Sequence, residues 1–279
     1  LIVLAVAAVF GAAVLAACVP VQPLAAAVAH HDDLGTPVGG RPVRQGGHLV
    51  MGLSNEPDKL DPTTSTSLYT RYVMTSICEK LYDLDASGAI VPQLAAGLPA
   101  ISPDGLTVTF GVRTGIRFAD GTPFDAAAVR TSLQRHLTFK SSARRSEMGP
   151  ITAIEAPDAG HVVLHYKQPF APITAALADR AGMIMSPAAL AAEGANFGDH
   201  PVCVGPFKFA GRVPQTSIDV VRDPLYYDAG QVHLDAIAYR IMPDTVTRAA
   251  NLRSGDVQVA DTISPQDVDA LAKDRNLHV

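Results

Sequence analysis

Leu106, Val108, Phe110 and Val112 alternate with Thr107, Thr109, Gly111 and Arg113, the period of two expected of a strand with one buried face. Ser102-Pro103-Asp104-Gly105 supplies a turn before it, since Asp-Gly after Pro favours a left-handed backbone position. Thr114-Gly115 reverses the chain, Ile116 and Phe118 carry the alternation into a second strand, and Asp120-Gly121 makes another turn. Asp125 is placed to cap the helix that follows, with Phe124 and Val129 at the spacing of a hydrophobic staple. Val129, Leu133 and Leu137 recur on one helical face. The pattern predicts a two-stranded ribbon feeding an amphipathic helix.

The remaining pattern predicts strands and helices throughout. Gly46-Gly47 opens the folded part, and Leu49, Met51 and Leu53 alternate along a strand stopped at Ser54-Asn55-Glu56-Pro57. Candidate caps at residues 63–67 precede a helix with Leu68, Tyr72, Val73, Ile77 and Leu81 on one face. Residues 151–155 and 161–166 predict a hairpin around Pro157-Asp158-Ala159-Gly160. Residues 170–179 predict a short helix, 183–185 a buried strand, and Ser186-Pro187 the cap and first position of another helix. A strand over 217–222 follows, then a helix holding Thr247, Arg248 and Ala249, capped by Asp244 and ended by Gly255. Ser264-Pro265 starts one more helix, and residues 276–279 begin a strand.

Composition narrows the classes. A length of 279 residues suggests two domains or one large one, and a hydrophobic fraction of 48% is enough for real cores. A net charge of −5 and the absence of Trp argue against nucleic acid as a partner. Three cysteines exclude a disulfide-dense scaffold. Residues 1–17 are uncharged and apolar and end in Leu15-Ala16-Ala17-Cys18, the pattern of a secretory signal peptide with small residues at its cleavage site. Residues 18–45, rich in Ala, Pro and Gly, predict a flexible tether. His30-His31-Asp32-Asp33 within it is a solvated cluster, because nothing there fixes ligand geometry. His161 and His165 are too far apart along a strand to share one metal ion. Arg144 and Arg145 predict a solvated loop rather than a ligand contact. No metal or other cofactor is expected.

The order of the pieces carries more. Pro103-Asp104-Gly105-Leu106-Thr107, the Thr109-Phe110 strand, Arg113-x-Gly115-x-x-Phe118 and Asp120-Gly121-Thr122-Pro123-Phe124 resemble the signature of the extracytoplasmic solute-binding proteins of ABC importers. The class resembled is the one that carries oligopeptides, dipeptides and nickel chelates. Leu15-Ala16-Ala17-Cys18 resembles a bacterial lipobox, which implies that Cys18 is lipidated and anchors the chain to a membrane. Further matches are Glu56-Pro57 with Leu60-Asp61-Pro62, Cys78-Glu79-Lys80-Leu81-Tyr82, and Arg222-Asp223-Pro224-Leu225-Tyr226-Tyr227. Pro201-Val202-Cys203-Val204-Gly205-Pro206-Phe207 matches a family loop that approaches ligand, with Cys203 and Val204 standing where Gly and Thr are usual.

The resemblance implies an α/β, periplasmic-binding-protein-like type II fold with two lobes, of which the first, with its inserted subdomain, is here. It places the first-lobe core at 46–62 and 175–261, an inserted α+β subdomain at 63–174, and the start of a second lobe, cut short, at 262–279. It implies ligand contacts at Ser54, Asn55, Glu56, Ser67, Cys203, Val204 and Gly205. It implies a peptide or other small solute, an ABC permease and ATPase as partners, a monomer, and an extracytoplasmic, lipid-anchored or periplasmic location. With Cys18 lipidated, Cys78 and Cys203 are left in an oxidising compartment, either paired or with Cys78 as an ordinary buried helix residue.

Two other readings remain at this stage. One is a degenerate or sensory fragment without a transport role, suggested by the altered 201–207 loop and by Gly97 where the family usually carries Trp. The other is a secreted hydrolase, against which stands the lack of Gly-x-Ser-x-Gly, His-Glu-x-x-His or a phosphate-cradling loop.

Overall fold

A computed structural model describes residues 43–279. The expected signal peptide, the lipidated Cys18, the His30–Asp33 cluster and most of the tether lie outside the described residues. The elements run β1 (His48–Leu53), α1 (Leu68–Ile77), β2 (Tyr82–Leu84), β3 (Ile90–Pro92), β4 (Ala100–Ile101), β5 (Thr107–Gly111) and α2 (Ala126–Thr138). There follow β6 (Ile151–Asp158), β7 (His161–Tyr166), α3 (Ile173–Ala176), α4 (Pro187–Glu193), β8 (Phe207–Val213) and β9 (Ser217–Arg222). The chain continues through β10 (Ala236–Ile241), α5 (Thr245–Ser254), β11 (Val259–Ala260) and α6 (Pro265–Leu271).

One sheet has the order β11-β1-β10-β9-β8. Its strand β1 runs parallel to both β10 and β11, with Leu53 opposite Ile241 and Gly52 opposite Ala260, whereas β8, β9 and β10 pair antiparallel. A second sheet, β4-β5-β7-β6, is wholly antiparallel, and β2 and β3 form a separate hairpin. Each large sheet buries one face. Under the mixed sheet, Leu53, Ile218, Val220 and Tyr239 meet Val73, Met74 and Ile77 of α1. Under the antiparallel sheet, Val108, Phe110, Val162 and Leu164 meet Val129 and Leu133 of α2.

Local chemistry explains the helix ends. Asp125 accepts from Ala128 N at 2.8 Å, Asp244 from Thr247 N at 2.7 Å, and Ser186 from Ala189 N at 3.3 Å, so these three expected caps form. Gly255 ends α5 in the left-handed conformation at φ 82°.

The expected two-stranded ribbon does not form. Strand β5 pairs with β4 and β7, and Ile116 and Phe118 belong to a closed loop in which Phe118 N donates to Thr122 O and Phe124 N to Ile116 O. The alternation of Ile116 and Phe118 was real as a burial signal, since both sit in the core, but it did not specify a ladder. Residues 276–279 also form no strand, having no ladder partner among the described residues. Residues 183–185 make isolated bridges only, Met183 to Lys80 and Met185 to Cys203, although all three are buried as expected. The helix expected over 170–179 shortens to α3.

The two cores meet at a joint beside a disulfide, both of whose cysteines belong to the core under the mixed sheet, while Val204, next in the chain after Cys203, belongs to the other. Cys78, just past α1, and Cys203, before β8, are disulfide-bonded with Cα atoms 4.9 Å apart. Beside them Gly205 packs so tightly that a Cβ there would lie 2.2 Å from Ile77 O.

Candidate functional site

Parallel strands carry their carboxyl ends to one edge, and in open α/β sheets that edge is where ligands bind. Here β1, β10 and β11 end side by side, and the loops leaving them converge. Ser54 N donates to Asp261 Oδ1 at 2.6 Å, and Ser54 Oγ donates to Asp261 Oδ2 at 2.8 Å. The Tyr69 hydroxyl lies 3.0 Å from Ser54 Oγ, which brings the first turn of α1 to the same edge.

Arg248 underpins this arrangement from α5. Its side chain is only 1% exposed, and its guanidinium donates to the carbonyls of Asp261 (3.0 Å), Thr262, Met242 and Pro243 (3.3 Å). One cation thus gathers the chain ends of β10 and β11. Thr262 sits at φ 45°, a left-handed conformation that a β-branched residue adopts only when its surroundings enforce it.

The loop between β1 and α1 is organised by two acids. Asp58 accepts from Ser65 Oγ (2.5 Å), Thr66 N (3.0 Å) and Thr70 Oγ1 (2.9 Å). Partial burial pushes its pKa up, but these bonds outweigh that and hold it down at about 2. Asp61 takes a two-pronged bond from Arg135, at 2.8 Å on each oxygen, with the carboxylate side chain 2% exposed. Burial again opposes the charge on Asp61, and the Arg135 bond and charge keep its pKa below the usual range.

Two further arginines back the start of α1. Arg144 and Arg180 are 2% and 7% exposed, and both donate to Ser65 O. Burial of Arg144 overturns the expectation of a solvated loop. Its guanidinium reaches Ser65 O and Glu147, whereas the neighbouring Arg145 stays exposed, as expected.

The residues expected to contact ligand fall into three places. Ser54 and Asn55 lie at the strand-end edge, half-buried and exposed respectively, and Ser67 caps α1, accepting from Tyr69 N at 3.1 Å. Glu56 turns away to bind Arg212 (2.6 Å) and Gln215 N (3.1 Å), pinning the β8–β9 hairpin. Cys203, Val204 and Gly205 are buried at the joint, where Val204 O accepts from Glu79 N at 2.7 Å. Glu79, itself buried, accepts from the hydroxyls of Tyr226 (2.6 Å) and Tyr227 (2.9 Å). Asp261, Arg248 and Arg180 were not singled out from sequence. Arg248 and Asp261 lie 13 residues apart, and only the return of β11 beside β1 joins them.

The pattern described as "bacterial extracellular solute-binding proteins, family 5 Middle" matches residues 89–279, more than half of the chain. The chain belongs to this family. Among family 5 relatives, glutathione-binding protein GsiB of Salmonella paratyphi A (strain ATCC 9150 / SARB42) is 33% identical over 232 residues, 83% of this chain and 45% of its own length. Solved structures agree. AgaA of A. tumefaciens R10, in complex with agropinic acid, superposes with a TM-score of 0.77 at 35% identity, over 82% of this chain and 46% of its own. DppA of Helicobacter pylori, in complex with the peptide STSA, gives 0.75 at 26% identity, over 83% and 50%. The chain therefore spans about half the length of the family 5 proteins it matches. Its α/β fold is that of the two-lobe type II periplasmic binding proteins, as expected from the sequence. Family 5 members are binding proteins. Among the described residues, no helix is long and apolar enough to cross a membrane.

Proposed function

We propose that the chain is the substrate-binding component of an ABC importer, which captures a peptide or peptide-like solute outside the membrane and delivers it to a permease. The observation that carries this reading is the strand-end edge of a family 5 lobe, where Ser54, Tyr69 and Asp261 are gathered on an Arg248-braced frame. A solute held there is enclosed when a second lobe closes on it, and the contacts made by both lobes together drive closure. Relatives named for glutathione and crystallised with agropinic acid or a peptide support small polar solutes as the class. Ser54, Asn55 and Ser67 are the proposed direct contacts. Glu56, Cys203, Val204 and Gly205 are proposed to act indirectly, Glu56 by pinning the β8–β9 hairpin and the other three by fixing the packing after α1. Residues 63–174 are proposed as an inserted subdomain whose first helix, α1, packs back under the mixed sheet, and 262–279 as the entry to the second lobe. The protein is proposed to act as a monomer, tethered through a lipidated Cys18 with its permease and ATPase nearby.

Thermal unfolding of the full-length protein with glutathione and short peptides tests the reading. A ligand at a hundred times its Kd stabilises the folded state by about 2.7 kcal/mol, and the unfolding midpoint rises accordingly. No rise with any such solute, together with hydrolysis of chromogenic esters or peptides, would overturn it. Radiolabelled palmitate incorporated into the wild type and lost in Cys18→Ser tests the anchor.

A further inference from the structure

Between Asp125 and Glu147 the chain carries no acidic residue, while Arg130, Arg135, Lys140, Arg144 and Arg145 all fall there. Such a stretch stands out in a protein whose net charge is −5. Two of these cations are spent internally, Arg135 on Asp61 at 2.8 Å and Arg144 on Glu147 at 2.7 Å. Arg130, Lys140 and Arg145 are exposed, and none has a carboxylate within ion-pair distance among the described residues.

Helical spacing gives the free cations a common side. Arg130, Gln134 and Thr138 recur at four-residue steps of α2 and are all exposed, so they form its solvent face. Lys140 lies just past the helix end. Arg145 folds back on that end, donating to the carbonyls of Leu137 (2.7 Å) and Phe139 (3.1 Å). An open cavity of about 410 Å³ indents the face, lined by Arg130, Thr131, Gln134, Arg135 and Ile154. Its lining offers N–H donors and no carboxylate, which suits a phosphate ester. Exposed helix faces ordinarily intersperse both signs, and this one does not. Ala127, Thr131, Gln134 and Thr138 beside the cations add no large apolar group, so a contact here stays at headgroup level.

We infer that this face of α2 docks on an anionic phospholipid surface, with lipid phosphates as the groups recognised. The inference goes beyond the reading above and shares with it only a location at the outer face of a membrane. A body of net negative charge is repelled by such a surface as a whole. Turning the acid-free face toward the lipid replaces repulsion with attraction within a Debye length. The docked body is thereby oriented as well as held. Each Arg or Lys near an anionic bilayer strengthens binding about five-fold.

The test co-sediments full-length Cys18→Ser protein, which cannot be acylated at that position, with two sets of vesicles. One set mixes phosphatidylglycerol and phosphatidylcholine equally, and the other is phosphatidylcholine alone. Binding to the mixed vesicles that weakens as salt is raised, and none to phosphatidylcholine, is expected. Arg130→Gln with Lys140→Gln should lower the affinity about 25-fold and leave the unfolding midpoint unchanged. Lys59→Gln with Lys167→Gln removes the same charge from exposed positions off α2 and should change the affinity little. No preference for phosphatidylglycerol, or an equal loss in both double variants, overturns the inference and leaves the face merely solvated. The two readings fail separately. Vesicle binding without palmitate incorporation in the wild type removes only the anchor, whereas incorporation without vesicle binding removes only the docking face.

Discussion

Arg248 shows how much one side chain carries at the strand-end edge. Its guanidinium satisfies four carbonyls and stands 3.8 Å from the Asp261 carboxylate, with both side chains at most 4% exposed. Removing one partner of a buried ion pair typically costs about 3–5 kcal/mol, because the other charge is left uncompensated. Arg248→Met is accordingly expected to lower the urea midpoint of unfolding steeply and to disorder the Ser54–Asp261 contact. An exposed pair serves as the control. His161 and Asp158 are each 59% exposed, and solvent screens such pairs almost completely, so His161→Ala should leave the midpoint unchanged. A large loss in the second variant and none in the first would refute this ranking by burial.

At the scale of elements, the joint after α1 is where the two cores come side by side. Gly205 is there for close approach, since an added Cβ would meet Ile77 O at 2.2 Å and Ile77 C at 2.5 Å, both backbone atoms unable to swing aside. Gly205→Ala is therefore expected to destabilise by more than an ordinary overpacked core site, which costs about 1–3 kcal/mol. The adjoining disulfide spans 125 residues. Replacing both cysteines with Ala should cost about 2–5 kcal/mol, mainly by freeing the unfolded chain, as read by denaturation of the oxidised wild type against the double variant. What was legible in the sequence divides along the same line. Caps at Asp125, Asp244 and Ser186 were readable because a cap and its amide are three residues apart. The strand at Val108 and Phe110 was readable because its sheet buries only one face. The pairing of Cys78 with Cys203, the burial of Arg144 and the meeting of Arg248 with Asp261 were not, since each depends on how separate elements come together in the fold. At 116–118 the burial pattern was right and the partner wrong, because periodicity says which face is inside and nothing about what lies alongside.

At the scale of the whole molecule, two buried groups among the described residues pull stability in opposite directions between pH 4.5 and 7. His136 of α2 is fully buried, with Nδ1 3.0 Å from Thr63 Oγ1 and Nε2 without a partner. Burial drives its pKa down from 6.5 to about 3; Asp61 opposes this, and Arg135 and Arg144 add to it. The unfolded chain therefore takes up a proton near pH 6.5 that the folded chain refuses, and stability falls as pH drops from 6.5 toward 3. Glu79 behaves in reverse. Burial raises its pKa above 4.5 against the pull of the Tyr226 and Tyr227 hydroxyls, so the folded state keeps a proton the unfolded state has lost. Its contribution is present below pH 4.5 and is lost as pH rises through the folded value. Asp58, held at about 2, adds stability above its unfolded value of 3.8 and loses it only as pH falls through about 2. Between pH 4.5 and 6.5, then, only His136 and Glu79 compete among these three. The shift at His136 spans several pH units, and its ring meets the solvent nowhere, so it should dominate. The thermal midpoint is expected to fall on acidification from pH 7 to 4.5. His136→Gln should flatten that slope, and Glu79→Gln should steepen it by removing the opposing proton. A slope unchanged in His136→Gln would move the origin of acid sensitivity away from the packing of α2 against the β1–α1 loop.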